Sequence, residues 1–593
     1  MATNEKSAKE SLLPGPDTQR QDASWLRRRK LRRTAIFSAA FIGLLYSVNL
    51  ALHIHKHGCN GKGSIGAFWT AVDGSVPHEQ DLSRFSYGSQ AVCPQEEQLL
   101  PERNKELWES IGTQIETDDF KAKAVEWLGG AVKVETESFD KMDPVGVDPR
   151  WTKFGAFHSY LEKAFPLVHT NLDLTKVNTY GLLFEWEGSD PSLKPLLLAA
   201  HQDVVPVDPR TVDEWVHPPY SGHFDGEYIW GRGSSDDKSG LIGTLSAVET
   251  LLGAGFQPTR KIVLSFGFDE EVSGVYGAQE LGKFLDAKYG KDSFAMLVDE
   301  GGGFSEQYGG VFAVPAIGEK GYLDTRVEVS SPGGHSSIPP SHTSIGILSA
   351  LLVAYESHPI FPIIDRTTPI YGTLQCLAAY APSMDPALRK TVLGSLKSDR
   401  ALHKLEKLVA TDRALRASVG TTQAIDLIQG GVKTNALPEQ AWAVVNHRIA
   451  TQSSVADVKQ RDTKLLAKLA KDFNLTYTAF GESLTSGSSG TLTLTDAWGT
   501  ALEPAPITPT DATPFKLLSG TIRSTYNAHR GFENEEQITV APGIMTGNTD
   551  TRYYWNLTKH IFRYNHHNLF AGGAIPGVFT LLMSISPLPT SWR

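Results

Sequence analysis

Three short apolar runs in this chain end in histidine or carboxylate residues, and this pattern constrains the fold more than any other feature. The runs KPLLLAA, KIVLSFGFD and FAMLV lead into His201, into Glu270 and Glu271, and into Asp299. Nearly unbroken apolar runs of this length are typical of strands buried on both faces of a parallel sheet. In open α/β sheets, ligands bind outside the carboxyl ends of such strands. The pattern therefore predicts an α/β domain whose strands bring these polar side chains to one edge of one sheet.

The side chains at this edge are of the types that bind metal ions and transfer protons. Between the first two runs, the segment WGRGSSDDKSG adds Asp236. Hydrolysis of an amide near neutral pH needs a strong nucleophile and stabilisation of developing charge, and two zinc ions about 3.5–4 Å apart supply both. Histidine and carboxylates are suitable ligands for such a pair. We expect two zinc ions, bridged by Asp236 because its Gly/Ser-rich loop lets the backbone come close.

Two supporting roles follow from the spacing of the remaining residues. In an extended strand, Asp203 points to the same side as His201, so its carboxylate is placed to hold the second imidazole nitrogen. Glu270 and Glu271 are adjacent and cannot take the same position. One of them can bind metal while the other reaches the water molecule as the general base.

Composition narrows the class of protein. The 593 residues are too many for one compact domain, and the formal net charge of -10 argues against nucleic acid as a partner. The three cysteines, Cys59, Cys93 and Cys376, contain no CxxC pair, which excludes a thiolate zinc site. Cys59 and Cys93 either form a disulfide in an oxidising compartment or remain free thiols.

The amino-terminal part predicts a membrane anchor. Residues 1–33 form a polar tail that ends in a basic cluster, and residues 34–52 carry no charge and are just long enough to cross a bilayer as a helix. The basic cluster places the tail in the cytosol and the rest of the protein in the lumen. A cleaved signal peptide is the alternative. Residues 53–105 are expected to form a stem, and Asn474 and Asn556 lie in N-glycosylation sequons.

The rest of the chain divides into three segments. Residues 106–317 alternate helical and strand patterns and predict the first part of a catalytic domain with a mainly parallel sheet. Residues 318–485 follow the order β-α-β-β-α-β, which is that of a split βαβ sandwich, and predict an inserted α+β domain. Residues 486–593 are expected to complete the catalytic domain.

Several motifs resemble those of a known family. HQDVVPV, GRGSSDDKSG, DEEVSG and LVDEGG are similar to segments of the di-zinc metallopeptidases that include carboxypeptidase S, aminoacylase and carnosinase. The resemblance covers roughly residues 106–568 and is greatest to the carboxypeptidase S enzymes of fungal vacuoles. It implies that His201 and Asp299 bind one zinc ion, that Glu271 binds the other, and that Asp236 bridges them.

The resemblance also assigns roles to neighbouring residues. It implies that Asp203 supports the histidine, that Glu270 is the base and then the acid for the leaving amine, and that a cis peptide bond falls at Asp236-Asp237. In the inserted domain, the segment SPGGHSS contains His335, which is expected to help polarise the substrate, often in the site of a partner subunit. The segments GGVKTNALPEQ and VVNHRI contain two further candidates, Asn435 and Arg448, which are expected to bind the substrate carboxylate. A homodimer through the inserted domain, which would act as a lid, is also implied.

The carboxyl end departs from the family pattern. The family has one more histidine in a segment similar to HTVNE, as a ligand of the second zinc ion, but no histidine follows His567 here. We expect that a gene-model error, such as a misplaced splice site, produced the atypical tail after about residue 569. His566 or His567 is an alternative ligand. The expected activity is removal of carboxy-terminal residues from small peptides of the Gly-X type. Alternatives are an N-acyl amino acid amidohydrolase, or a tethered binding protein if the tail is real.

Overall fold

The computed structural model describes residues 89–528, 537–568 and 585–587. They belong to one compact unit that comprises residues 85–593. The predicted cytosolic tail, the membrane span and most of the stem lie outside these residues. Within the described part of the chain, no helix has the length and apolar character needed to cross a bilayer.

Helices and strands alternate along the first part of the catalytic domain. Its helices are α1 (Ser89–Val92), α2 (Lys105–Ile115), α3 (Asp118–Val132), α4 (Lys153–Ala164), α5 (Pro166–Asn171), α6 (Lys238–Gly253) and α7 (Ala278–Tyr289). Its strands are β1 (Asp173–Val177), β2 (Gly181–Trp186), β3 (Leu196–His201), β4 (His223–Phe224), β5 (Tyr228–Trp230), β6 (Ile262–Gly267), β7 (Met296–Gln307), β8 (Gly310–Ala313) and β9 (Ala316–Glu319).

The inserted region contains a second sheet and a block of helices. Its strands are β10 (Gly321–Ser330), β11 (Gly334–His335), β12 (Ala424–Gly430), β13 (Ala436–Leu437), β14 (Gln440–Ile449), β15 (Thr476–Ala479), β16 (Glu482–Thr485) and β17 (Thr491–Asp496). Its helices are α8 (Ser344–Ser357), α9 (Pro369–Tyr380), α10 (Pro386–Ser395), α11 (Asp399–Val409), α12 (Arg413–Val419) and α13 (Val455–Asp472). The chain then returns to the catalytic domain with α14 (Thr513–Ala528), β18 (Thr539–Val540), β19 (Gly543–Met545), β20 (Ile561–Asn568) and β21 (Ile585–Pro587).

The catalytic sheet is mixed, with a parallel centre. Its main strand order is β1-β2-β6-β3-β7-β20-β9-β19, and the strands β6, β3, β7 and β20 run parallel to one another. The edges contain antiparallel pairs, such as β2 with β6 and β20 with β9. The prediction of an α/β fold is confirmed, and the three apolar runs are adjacent central strands.

Burial on both faces explains why these strands are continuously apolar. In β6, Val263 packs on one side of the sheet against Leu281 of α7, while Leu264 and Phe266 pack on the other side in the cluster that contains Leu245 of α6. All five side chains are fully buried. Such side chains contribute about 1.5–3 kcal/mol each when removed from water. The helices on both faces therefore hold the central strands, and with them the carboxyl ends of the strands, in fixed positions.

The second sheet, which we call the lid sheet, has the predicted split βαβ character. Its order is β12-β14-β10-β17-β15-β16, and α8 and α13 pack on it through Leu351 and Leu466. β17 pairs with β10 and β15, so the lid sheet extends to Asp496, past the boundary expected at 485. Helices α9 to α12 have their own core, which includes Phe312 of β8 and thus packs on the catalytic domain.

The disulfide predicted between Cys59 and Cys93 is wrong, and so is the alternative of free thiols for Cys93. Cys93 is bonded to Cys376 with an S–S distance of 2.00 Å. Cys93 pairs with Cys376 because α1 packs against α9, which carries Cys376. Cys59 lies outside the described residues. The bond joins positions 283 residues apart and ties the amino-terminal segment to the helical block.

Candidate active site

His201 lies at the carboxyl end of β3 and is the centre of the candidate site. Its side chain is 1% exposed. Nε2 lies 3.1 Å from Oδ1 of Asp236 and 3.6 Å from Oε2 of Glu300. Nδ1 lies 3.0 Å from the backbone oxygen of Asp203 and 3.3 Å from Oδ1 of the same residue. A proton on Nδ1 is thus held by Asp203, which leaves Nε2 free to bind a metal ion.

Asp203 is itself fixed by three hydrogen bonds. Its Oδ2 accepts from the hydroxyl of Ser138 at 2.6 Å and from the backbone N–H of Glu271 at 3.1 Å. Its Oδ1 accepts from the backbone N–H of Glu270 at 3.0 Å. The carboxylate therefore connects the end of β3 to the turn that carries both glutamates, as expected for a residue that supports His201.

Asp236 and Asp237 occupy the tight loop before α6, and the peptide bond between them is cis, as the family resemblance implied. Asp236 faces His201, and its side chain is 54% exposed. Burial opposes the charge of Asp236, but the hydrogen bond to His201 holds the pKa of its carboxyl below the usual value. Asp237 is fully buried, accepts a hydrogen bond from Asn565 at 3.1 Å, and has its pKa raised to about 8 by burial.

Glu270 and Glu271 begin a single turn of 3-10 helix, Glu270–Val272, that follows β6. Oε1 of Glu271 accepts from the backbone N–H of Val205 at 3.3 Å, and burial raises the pKa of Glu271 to about 7. Burial, followed by the charge of Glu300, raises the pKa of Glu270 well above its ordinary value. A carboxylate with a raised pKa is suited to take up and release a proton near neutral pH.

Glu300, which no sequence motif singled out, faces the site. Asp299 is not among the described residues whose donor atoms cluster with those of His201. Alternate residues of β7 point to opposite faces, and Glu300 is the one whose Oε2 lies 3.6 Å from Nε2 of His201, although the charge of His201 also acts on Asp299. Oδ2 of Asp299 is buried and has no hydrogen-bond partner among the described residues. Burial raises the pKa of Asp299 to about 6, with the charges of Glu319 and Arg563 close by. The apolar run locates the end of the strand, but it does not show which carboxylate points toward the metal site.

The described residues contain two groups of donors that are close enough to hold an ion. One comprises His201, Asp236 and Glu271, and the other comprises His201, Asp237 and Glu300. Within each group the donor atoms lie within 4.8 Å of one another. Several buried carboxylates around one imidazole are costly unless a cation compensates their charge. The mixture of nitrogen and oxygen donors fits zinc.

Asp550, which also escaped the sequence analysis, lies behind the site. It is 5% exposed, and neither of its oxygens has a hydrogen-bond partner among the described residues. A side chain at Gly267 or Gly274 would meet these oxygens at 2.5 Å and 2.3 Å, so the absence of a Cβ makes room for them. Burial and the negative charges of Asp269 and Asp299 raise the pKa of Asp550 well above its ordinary value.

Arg448 lies next to the end of β14 and pairs with Tyr322 of β10. The chain enters β10 directly from β9 of the catalytic sheet. Its Nη1 donates to Oδ1 of Asn548 at 3.1 Å, and Nδ2 of Asn548 donates to the backbone oxygen of Lys320 at 2.6 Å. Asn548 stands two residues before Asp550. The guanidinium is therefore positioned from the catalytic domain, beside the segment that reaches the candidate site.

His335 and Asn435 lie at the other end of the lid sheet and are exposed. His335 pairs with Ala436 in the small sheet formed by β11 and β13. The strand β10 runs between this sheet and Arg448, and eight residues at about 3.3 Å each span roughly 26 Å. The structure thus brings Arg448 toward the site but leaves His335 and Asn435 far from Arg448 within one chain.

The remaining predicted positions are on the surface or beside the site. Asn474 and Asn556, in the two sequons, are exposed. His566 contacts Tyr564 through Nδ1 at 2.7 Å and packs against Phe304. Among the described residues, neither His566 nor His567 belongs to a group of clustered metal donors.

Comparison with known proteins places this site in a family. Residues 197–572 match the model of peptidase family M20/M25/M40. The chain is 41% identical over 510 residues to carboxypeptidase S of Saccharomyces cerevisiae, covering 84% of this chain and 87% of that protein. It is 34% identical to an N-fatty-acyl-amino acid synthase/hydrolase of Bos taurus, covering 74% of this chain and 80% of that protein.

Solved structures agree on the fold. Human carnosine dipeptidase 1 superposes with a TM-score of 0.53 at 17% identity, covering 78% of this chain and 92% of that chain. An M20 family metallo-carboxypeptidase from Sulfolobus solfataricus gives a TM-score of 0.50 at 18% identity, covering 76% and 92%. From the family model and the similarity to carboxypeptidase S, the chain belongs to peptidase family M20/M25/M40.

Proposed function

We propose that this protein is a zinc-dependent carboxypeptidase that removes the carboxy-terminal residue from small peptides, including those of the Gly-X type. The observation that carries the proposal is the set of His201, two aspartates and two glutamates that converge at the carboxyl ends of the central strands. Its similarity to carboxypeptidase S over most of both chains supports the same activity.

The chain's own donors divide between two ions. His201 and Glu300 would hold the first, Glu271 would hold the second, and Asp236 would bridge them. Zinc bound there would polarise the scissile carbonyl and lower the pKa of a water molecule. Glu300 takes the place that the sequence analysis gave to Asp299, because Glu300 lies 3.6 Å from His201.

Glu270 would act as the general base and then as the acid. Burial and the nearby charge of Glu300 raise the pKa of Glu270 well above its ordinary value, which strengthens it as a base toward water. The proton it takes up would then go to the leaving amine. Asp203 keeps the imidazole of His201 in one orientation through the contacts of Nδ1.

Arg448 would bind the free carboxylate of the substrate, which would make the enzyme an exopeptidase. Asn548 occupies only Nη1, and no other side-chain contact of Arg448 with a hydrogen-bond acceptor occurs among residues 89–528 and 537–568. The edge formed by Nε and Nη2 is therefore available for two parallel hydrogen bonds to a carboxylate.

His335 and Asn435 would serve a second subunit. Both are exposed and lie beyond the far end of β10, whose length separates them from Arg448, so they would act on a substrate held by another copy of the chain docked on the lid sheet. Strand β12 at the edge of this sheet exposes Leu427 and Ile428, which favours a homodimer through the inserted domain.

We propose the same setting as the sequence predicts, which is a single membrane anchor at residues 34–52 and a catalytic part in the lumen of the vacuole. The disulfide between Cys93 and Cys376 supports an oxidising compartment, where such bonds persist. The exposed positions of Asn474 and Asn556 are compatible with glycosylation there.

An N-acyl amino acid amidohydrolase is the second candidate. Its substrates also present an amide beside a free carboxylate, and the similarity to an N-fatty-acyl-amino acid synthase/hydrolase favours it specifically.

The test compares two substrates with the purified, zinc-loaded protein, namely a benzoyl-blocked Gly-Leu dipeptide and N-palmitoyl-leucine. A carboxypeptidase releases leucine much faster from the dipeptide, whereas preference for the fatty-acyl substrate selects the second candidate. Release from neither substrate would contradict both candidates. The Glu270→Gln variant is the control for contaminating peptidases.

A further inference from the structure

A cavity of about 550 Å³ lies apart from the candidate active site. It is formed where the amino-terminal segment, helix α9 and the segment 507–519 meet, and the disulfide between Cys93 and Cys376 is part of its wall. None of the proposed zinc ligands, nor Glu270 or Arg448, lines it. Its volume is within the range of roughly 300–1,000 Å³ that is typical of small-ligand sites.

The inner wall of this cavity carries polar groups that lack partners. Ser519 is 3% exposed, and its hydroxyl has no hydrogen-bond partner in the described part of the chain. The amide of Gln375, which is half-buried, also has no hydrogen bond among residues 89–528 and 537–568. Buried polar groups are normally satisfied by protein, water or a ligand. Apolar side chains complete the wall, among them Ile317, Phe515 and Val540.

The outer part of the cavity carries charges of both signs. Lys516 is exposed and Glu96 is half-buried, and neither forms a salt bridge within the described ranges. Arg366 also lines the cavity, but it is engaged by Asp399 at 2.9 Å. Among the described lining residues, one free lysine and two free carboxylates, Glu96 and the exposed Asp511, lie beside apolar walls. These groups match a small molecule that has a carboxylate, an ammonium group and an apolar side chain.

We propose that this cavity is a binding site for a free apolar amino acid or a very short peptide, with the carboxylate near Lys516, the ammonium group near Glu96 and the side chain against Phe515 and Ile317. The ligand class coincides with the product of the peptidase reaction, and this link alone rests on the proposed function. The site is distinct from the site of hydrolysis.

The experiment is titration calorimetry of the full-length, zinc-loaded Glu270→Gln protein with L-leucine, leucine amide and N-acetyl-leucine. The amide lacks the carboxylate and the acetyl compound lacks the ammonium group, so each should bind the cavity about tenfold more weakly than leucine. Lys516→Met and Glu96→Gln should each weaken one leucine-binding event by about tenfold. Lys407→Met, an exposed lysine of α11 outside the cavity, is the matched control and should leave that event within about twofold.

The proposal is overturned if the leucine isotherm of Glu270→Gln is unchanged when Lys516→Met or Glu96→Gln is added. A cavity that is filled by another part of the chain would give this result. Equal affinity for leucine, its amide and its acetyl derivative at the Lys516-sensitive event overturns the proposal as well. Because the Glu270→Gln background is used, the result does not depend on turnover. Failure here is thus separable from failure of the proposed peptidase activity.

Discussion

Substitution of Arg448 by alanine should remove the discrimination between substrates with a free and a blocked carboxyl end. Asn548 holds Nη1 of Arg448 at 3.1 Å and is itself held by the backbone of Lys320, so the guanidinium is oriented before substrate arrives. A hydrogen-bonded pair between guanidinium and carboxylate contributes on the order of 1.5–3 kcal/mol. At about 1.4 kcal/mol per factor of ten, this corresponds to roughly tenfold to a hundredfold in kcat/KM.

The assay is a cycle of two enzymes and two substrates, in which the blocked Gly-Leu dipeptide and its leucine amide are each tested with the parent and with Arg448→Ala. The parent should cut the free acid roughly tenfold to a hundredfold faster than the amide, and the variant should cut both at the same low rate. Arg326→Ala is the matched control, because Arg326 lies on the same lid sheet but pairs with Glu328 at 2.7 Å. Zinc content should be unchanged in both variants.

Equal rates for the acid and the amide in the parent enzyme would refute the exopeptidase argument. The enzyme would then be an amidase that does not require a free carboxylate at the end of its substrate. A ratio that survives in Arg448→Ala would instead assign the carboxylate to another cation.

Three further predictions address the metal centre and the pH response of the fold. Glu270→Gln should keep zinc and the folded state but lose several orders of magnitude in rate, because proton transfer is removed; turnover above about a tenth of the parent in the peptide assay would contradict the assignment. Glu300→Gln should lower the zinc content per chain by elemental analysis, while Asp299→Asn should retain it, and the reverse result would restore Asp299 as the ligand. Burial, with Lys176 nearby, lowers the pKa of His158 to about 4. As the pH falls below about 6.5, His158 therefore takes up a proton in the unfolded chain before it does so in the folded protein. Its contribution to folding stability is present above pH 6.5 and is lost towards pH 4. Between pH 7 and 5, the free energy of unfolding measured with a denaturant should fall by about 2 kcal/mol less in His158→Gln than in the parent. Equal falls in the two proteins would show that another group dominates the pH dependence.

The sequence predicts the centre of the fold well because burial on two faces leaves a clear apolar signal. Strands β3, β6 and β7 are recognisable for this reason, and His201 and Glu270 lie at their ends as expected. The antiparallel edges depend on long-range pairing, such as β20 with β9, which leaves no local pattern. Helices α9 to α12 were missed because they interrupt the lid sequence but pack on the catalytic domain.

The limits of prediction at the site have a similar origin. Asp299 and Glu300 are adjacent, and only the orientation of β7 places the second beside His201. Asn548 and Asp550 lie in a loop without periodicity, and their importance arises from contacts with Arg448 and with the turn around Gly274. These contacts form only after segments far apart in the chain have folded together.

The zinc dependence of leucine release from the blocked Gly-Leu dipeptide tests the proposed carboxypeptidase activity most directly. The full-length protein is treated with a chelator, dialysed, and assayed before and after addition of zinc, with the released product identified by mass spectrometry. Release of the carboxy-terminal leucine should stop on chelation and return with zinc. Release that is insensitive to chelation, or no release in the zinc-loaded protein, would contradict this activity.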